Sequence, residues 1–225
     1  MTTQFRNKVT STTTPLNRRR FLAISAAAFG AARPALAAPR QIWTGVALGA
    51  RASIRLDHPQ AEAIAARAAA EIARLEGIFS LYRADSALSQ LNAAARLTAP
   101  PPELLECLTL AGSIHRATGG LFDPTVQPLW ALWAERATAG SRPTVDALAA
   151  TRALGQWADL RLDAGEITMA PGMGLTLNGI GQGYIADRIA ALLEAEGLTD
   201  ILIDTGELRA LGGQPDGGDW PVTLE

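Results

Sequence analysis

Apolar residues recur every three to four positions between 59 and 79, where Ile64, Ala68, Ile72, Leu75 and Phe79 form one stripe. That spacing predicts an amphipathic helix, with Asp57 upstream as a candidate cap. Before it, residues 42–56 alternate weakly around Gly45 and Gly49, which predicts one bent strand or a hairpin. A polar loop at 80–85 leads into a short helix that Ser86 is suited to begin. A second helix starts within Pro100-Pro101-Pro102, runs to Ala117 and is stopped by Gly119-Gly120. A third, short one holds Trp130 and Trp133, and residues 144–154 read as a surface helix.

Further along, 160–162 and 167–169 flank Asp163-Ala164-Gly165, a hairpin pattern. Residues 175–177 read as a buried strand, followed by a glycine cluster and a helix from Tyr184 to Glu196 ended by Gly197. Core strands are expected at 201–203 and 208–211, and residues 220–224 open another. Helices and strands mix without a strict βαβ alternation, so the fold class is α+β or mixed α/β.

The first 37 residues change this picture. Arg18-Arg19-Arg20-Phe21-Leu22 precedes an apolar stretch from Ala23 to Ala32, and Ala35-Leu36-Ala37 supplies a small-x-small cleavage pattern. A positive region, a short apolar region and a cleavage site in that order make a twin-arginine export signal, and so a periplasmic or extracytoplasmic location. The apolar stretch falls short of the roughly 20 residues a spanning helix needs. Removing 1–37 takes away six of the 20 basic residues and none of the 22 acidic ones, leaving a net charge of −8. A chain so acidic has no general electrostatic footprint for nucleic acid or an anionic membrane. The single cysteine, Cys107, sits on an apolar helical face near Leu104, Leu108 and Leu110 and reads as a buried structural residue. With two histidines and one cysteine, a Cys/His metal cluster is excluded.

Three constellations carry candidate chemistry. In Leu175-Thr176-Leu177-Asn178-Gly179-Ile180-Gly181-Gln182-Gly183-Tyr184, glycines fall between a predicted strand and a helix start. Backbone amides there suit a phosphate or pyrophosphate, while the same glycines suit a turn that needs close packing; both readings stand. The run Gly119 to Trp130 places Asp123 before Pro124, where Asp123 faces a ligand or caps a helix. In Phe79 to Asn92, Tyr82 suits stacking on a planar ring and Arg83 suits a phosphate, against a capped loop that packs Tyr82 on the core.

Together these three ordered motifs resemble the flavin transferases of the ApbE type. The family's Phe-Ser-x-Tyr-Arg-x-Asp-Ser-x-Leu-Ser-x-Leu-Asn segment is met by Phe79 to Asn92, and its Gly-x-Phe-Asp-Pro-Thr-Val by Gly120 to Val126. Its strand, small residues and Gly-Tyr entering a helix are met by Leu175 to Tyr184, then Asp187. The resemblance implies a flavin-transferase domain over 40–225 and a Mg²⁺-dependent transfer of FMN from FAD to a threonine of an exported or membrane redox protein. It places Leu48 where the family usually has methionine, puts Tyr82 and Phe122-Asp123-Pro124 along the FAD site, and assigns the carbonyl of Gly179 to Mg²⁺. It also brings in Thr176 where the family commonly has Asp, and Gln182 where it commonly has Lys.

The wording from Asn178 to Tyr184, with Asp204-x-Gly206-Glu207 downstream, is similar to the subgroup that accompanies nitrous oxide reductase maturation. In the family, a His-x-x-Asp-Pro-x-Thr-Gly segment and the Asp and Thr ligands of Mg²⁺ lie beyond the counterpart of Glu225. The resemblance therefore implies the N-terminal two-thirds of the family fold. Without those ligands, the alternative is a non-catalytic exported FAD-binding maturation factor.

Overall fold

The computed structural model of the chain describes residues 41–214 and 217–221; the expected leader and the last four residues lie outside that range. Its described strands are β1 (Gln41–Ala47), β2 (Ala50–Leu56), β3 (Arg96–Thr98), β4 (Arg161–Leu162), β5 (Glu166–Thr168), β6 (Ile201–Asp204) and β7 (Leu208–Leu211). They form two antiparallel sheets in the orders β1-β2-β6-β7 and β3-β5-β4. The described helices are α1 (Ala61–Phe79), α2 (Ala87–Ala94), α3 (Pro102–Ala117), α4 (Gln127–Thr138), α5 (Val145–Arg152) and α6 (Gly181–Ala195). This is the mixed α/β class expected.

Period-two alternation sets the larger sheet. Ala52, Ile54 and Leu56 of β2 are buried while Arg51 and Arg55 face out. Onto that inner face pack α1, through Ile64, Ala68, Ile72, Leu75 and Phe79, and α6, through Ile185, Ile189 and Leu193. Each buried aliphatic side chain of this kind contributes about 1.5–3 kcal/mol. The hairpin reading of 42–56 is correct, with the turn at Leu48-Gly49. Gly45 does not interrupt it: it lies within β1, covered by the Trp43 indole.

Several expectations are corrected. The cap position of α1 falls at Gln60 rather than Asp57. β7 is an edge strand whose residues are mostly exposed, not a core strand, because no described strand flanks it on its outer side. β3 has no alternating apolar pattern to announce it; pairing with β5 makes it a strand. Trp220 and Pro221 have no regular structure, and the rest of the strand expected there lies outside the described residues. On α3, Leu104 and Leu108 are buried but Leu110 is 48% exposed. Cys107 is fully buried, and its thiol is pushed up to about 12, by burial first and the nearby Glu106 charge second. The structural reading of that cysteine holds.

The most instructive correction concerns residues 175–177, where Leu175 and Leu177 are buried and Thr176 half-buried, but which belong to neither sheet. Asn92 takes the place of a neighbouring strand. Its Oδ1 accepts from the Leu175 N–H at 2.8 Å, and its Nδ2 donates to the Leu175 carbonyl at 2.9 Å. The Thr176 N–H donates to the carbonyl of Pro124 at 2.8 Å. The carbonyl of Leu177 accepts from Ile180 and Gly181 where α6 begins. Buried backbone groups are paired almost without exception, so one side-chain amide does the pairing of a strand rung. Asn92→Ala leaves both Leu175 groups unsatisfied; unfolding in denaturant should show a loss of about 2–4 kcal/mol, read as a lower midpoint at an unchanged slope.

Candidate active site

The β1–β2 turn is made by Leu48 and Gly49, with φ of 48° and 82°. Positive φ at both central residues matches the twist of a two-residue hairpin. Leu48 is buried, and its N–H donates to Glu76 Oε1 at 2.9 Å.

Beside the turn stands the loop that follows α1. Its serines are structural. The Ser80 carbonyl accepts from the hydroxyls of Ser86 and Ser89, Ser80 Oγ accepts from the Tyr82 N–H at 3.1 Å, and Ser86 Oγ caps α2 through the Ser89 N–H. This knot turns Tyr82 outward, 72% exposed, with its ring over Gly49; a Cβ on Gly49 would stand 3.1 Å from Tyr82 Cε2. Tyr82 is therefore not packed into the core. Arg83, expected to meet phosphate, is instead paired with Asp85 at 2.8 Å, and that guanidinium holds the Asp85 carboxyl below its ordinary value.

A third element arrives from the end of α3. His115 Nδ1 bonds the Phe122 carbonyl at 2.8 Å while its ring stacks on Trp157, and the Phe122 N–H donates to Thr118 Oγ1 at 3.1 Å. Phe122 is thereby laid against Gly179, where a Cβ would come within 3.0 Å of Phe122 Cε2. The Asp123 carboxylate caps the short 3-10 turn Pro124–Val126, accepting from the Thr125 N–H and hydroxyl at 2.9 and 2.7 Å. The cap reading of Asp123 is thus realised through Oδ1, while the residue also lines a cleft with Thr125 and Gln156. Thr176 Oγ1 accepts from the Asn178 N–H at 3.3 Å and so shapes the turn before α6.

The glycine cluster divides by role. Helix α6 begins at Gly181, three residues earlier than expected, so Gly181 and Gly183 lie inside it. Gly181 packs on Leu48, with an ideal Cβ 3.1 Å from Leu48 Cδ1, and its N–H is taken by Leu177. Gly183 has no close neighbour and lines an open cleft of about 420 Å³ with Asn178, Gln182, Asp187 and Arg209. No side chain caps this helix start. The Gln182 and Gly183 amides donate to no carbonyl among the described residues, so they, not Gly181, are the amides left for an anion. Gln182 itself presses on Gly206, where a Cβ would be 2.8 Å from its Nε2. Tyr184 anchors the turn, donating to Glu106 Oε2 at 2.6 Å; burial first and that carboxylate second hold its phenol protonated well above the usual range.

Four glycines thus bring the expected residues together: Gly49 meets Tyr82, Gly179 meets Phe122, Gly181 meets Leu48 and Gly206 meets Gln182. Sequence reading missed Glu76 and Glu106, and named Asn92 without its role, because these roles depend on partners 28, 78 and 83 positions away respectively. For a metal, the carbonyl of Gly179 is available, but no three His, Cys, Asp or Glu side chains gather among the described residues. These residues do not by themselves supply the oxygen set that Mg²⁺ takes.

The hairpin turn, the exposed-tyrosine loop and the glycine-rich helix start meet in a fold shared with solved flavin transferases. The apo flavinyl transferase ApbE of Pseudomonas stutzeri matches with a TM-score of 0.71 and 28% identity over 82% of this chain and 61% of its own. A mutant flavin transferase ApbE of Vibrio cholerae matches with a TM-score of 0.74 and 25% identity over 82% and 67%. The ApbE family model matches residues 48–225, and the chain belongs to the ApbE family. Among curated relatives, a FAD:protein FMN transferase of Klebsiella pneumoniae (strain 342) is 31% identical over 183 residues, 76% of this chain and 52% of the relative. One of Escherichia coli (strain K12) is 28% identical over 158 residues, 66% and 45%. The chain spans about half the length of these curated relatives.

The two kinds of glycine are separable by substitution. Gly181→Val drives a branched side chain into Leu48 and should cost about 1–3 kcal/mol in denaturant unfolding. Gly183→Ala, in open space within a helix, should leave stability unchanged or raise it by up to about 1 kcal/mol.

Proposed function

We propose that the chain binds FAD on this face and serves the transfer of FMN from FAD to a hydroxyl of an acceptor protein. The observation that carries the reading is the meeting of Leu48, Tyr82, Phe122 and Gln182 through four glycine contacts, in a chain of the ApbE family. Relatives named FAD:protein FMN transferase support the same substrate. In this reading the Tyr82 ring takes the flavin or adenine plane, and the amides of Gln182 and Gly183 hold the pyrophosphate. The acceptor oxygen bonds to the FMN-side phosphorus, the bridging P–O bond breaks, AMP leaves and the hydroxyl proton passes to solvent.

The finer parts belong to the same proposal. A threonine as acceptor, Mg²⁺ dependence and a redox partner of the nitrous oxide reductase system rest on the sequence resemblance. A bound Mg²⁺ would neutralise pyrophosphate charge; the described residues offer it only the Gly179 carbonyl. Export rests on Arg18-Arg19 and Ala35-Leu36-Ala37.

FAD fluorescence titration tests binding directly: the chain should quench FAD saturably, and Tyr82→Ala should weaken binding by about tenfold, the worth of one aromatic stacking contact. Incubation with FAD, Mg²⁺ and a threonine-bearing redox protein should then give a fluorescent acceptor band that EDTA abolishes. Binding indifferent to EDTA, with no band, would instead identify a non-catalytic maturation factor; no FAD binding overturns both. Separately, changing Arg18 and Arg19 to lysine should retain the precursor inside the cell, whereas the exported protein should begin at Ala38 by N-terminal sequencing.

A further inference from the structure

We propose that Glu76 is a positioning residue: it holds the Leu48-Gly49 turn and the root of the Tyr82 loop in fixed relation, and so sets the flavin face. The inference rests on the FAD-binding reading above and adds to it the residue that shapes the site from behind. Two-residue turns of this kind favour Asn-Gly, since both residues need positive φ. A leucine in that region is disfavoured by its Cβ and persists only where its surroundings impose the geometry. Leu48, at φ 48°, is such a residue.

Two contacts impose it. The Leu48 side chain is seated on Gly181, where α6 begins. Its N–H lies outside the β1–β2 ladder, which closes at Ala47 and Ala50, and in a buried position that donor needs a protein acceptor. Glu76 Oε1 supplies it at 2.9 Å. The same residue acts a second time through its backbone: its carbonyl accepts from the Ser80 N–H at 3.1 Å, where the chain leaves α1 for the Tyr82 loop. Tyr82 in turn lies over Gly49. One residue therefore fixes the turn with its side chain and the departing loop with its main chain. Arg83, a neighbouring cation, is engaged by Asp85, which leaves the Glu76 carboxylate to the turn.

The test compares wild type, Glu76→Ala, Glu76→Gln, Leu48→Asn and the Leu48→Asn/Glu76→Ala double variant by FAD titration and denaturant unfolding. Glu76→Ala should weaken FAD binding by about tenfold, the worth of a lost charge-assisted hydrogen bond. Glu76→Gln, whose amide oxygen still accepts, should stay within about threefold of wild type. An Asn-Gly pair adopts this turn unaided, so the drop in midpoint caused by Glu76→Ala should shrink in the Leu48→Asn background. Equal drops in both backgrounds, or unchanged FAD affinity in Glu76→Ala, overturn the proposal. Coupled midpoints in a wild type that binds no FAD would overturn the FAD reading while upholding the hold of Glu76 on the turn.

Discussion

A buried backbone without a strand beside it must find partners elsewhere, and residues 175–177 satisfy that demand in a way that assembles the site. Leu175 is held by the Asn92 amide, Thr176 by the Pro124 carbonyl, and Leu177 by the first amides of α6. Those partners belong to three separate stretches of sequence: the serine-rich loop and its helix, the Phe-Asp-Pro turn, and the glycine run. The cost of an unpaired buried N–H or carbonyl, about 1–3 kcal/mol each, is what keeps them in register. The Leu175 and Leu177 side chains add to this by packing into the hydrophobic core.

Around that junction the polar side chains are mostly occupied by the protein. Ser80, Ser86, Ser89 and Asp123 bond the backbone, Thr176 shapes its own turn, and Arg83 is paired. What remains open is an aromatic ring, two first-turn amides of α6 and a cleft edged by Asp187 and Arg209. Such a face suits a planar, phosphate-bearing molecule better than it suits acid–base work by a resident side chain. The glycines are the means: a Cβ at Gly179 or Gly181 would separate Phe122 and Leu48 from the helix start by several tenths of an ångström.

Much of this was legible in the chain itself. Stripes of apolar residues at helical spacing announce α1 and α3, and serine before an apolar run announces α2, because these signals act within one turn of helix. The paired glycines after α3 and the turn glycine at 49 are equally local. The three motifs and the resemblance they carry also named residues that the fold brings together: Leu48, Tyr82, Phe122 and Gln182, each against a glycine. Their roles were less visible. Nothing local tells that 175–177 pairs with a side chain rather than a strand, that β3 exists, or that β7 is an edge, because a strand is defined by its neighbour.

The side chains at the site show the same division. Sequence alone singled out Tyr82, Phe122 and the glycine run as candidates, since those residue types are suited to planar rings and close backbone approach wherever they fall. Tertiary structure alone decided that Tyr82 faces outward while Arg83 is spent on Asp85, that Asp123 is a cap, and that Gly181 serves packing while Gly183 opens on the cleft. It alone brought Glu76 to Leu48 across 28 positions. The reason is physical: propensity and periodicity are short-ranged, whereas a hydrogen bond or a steric limit is set by whichever atom the fold places within about 3 Å.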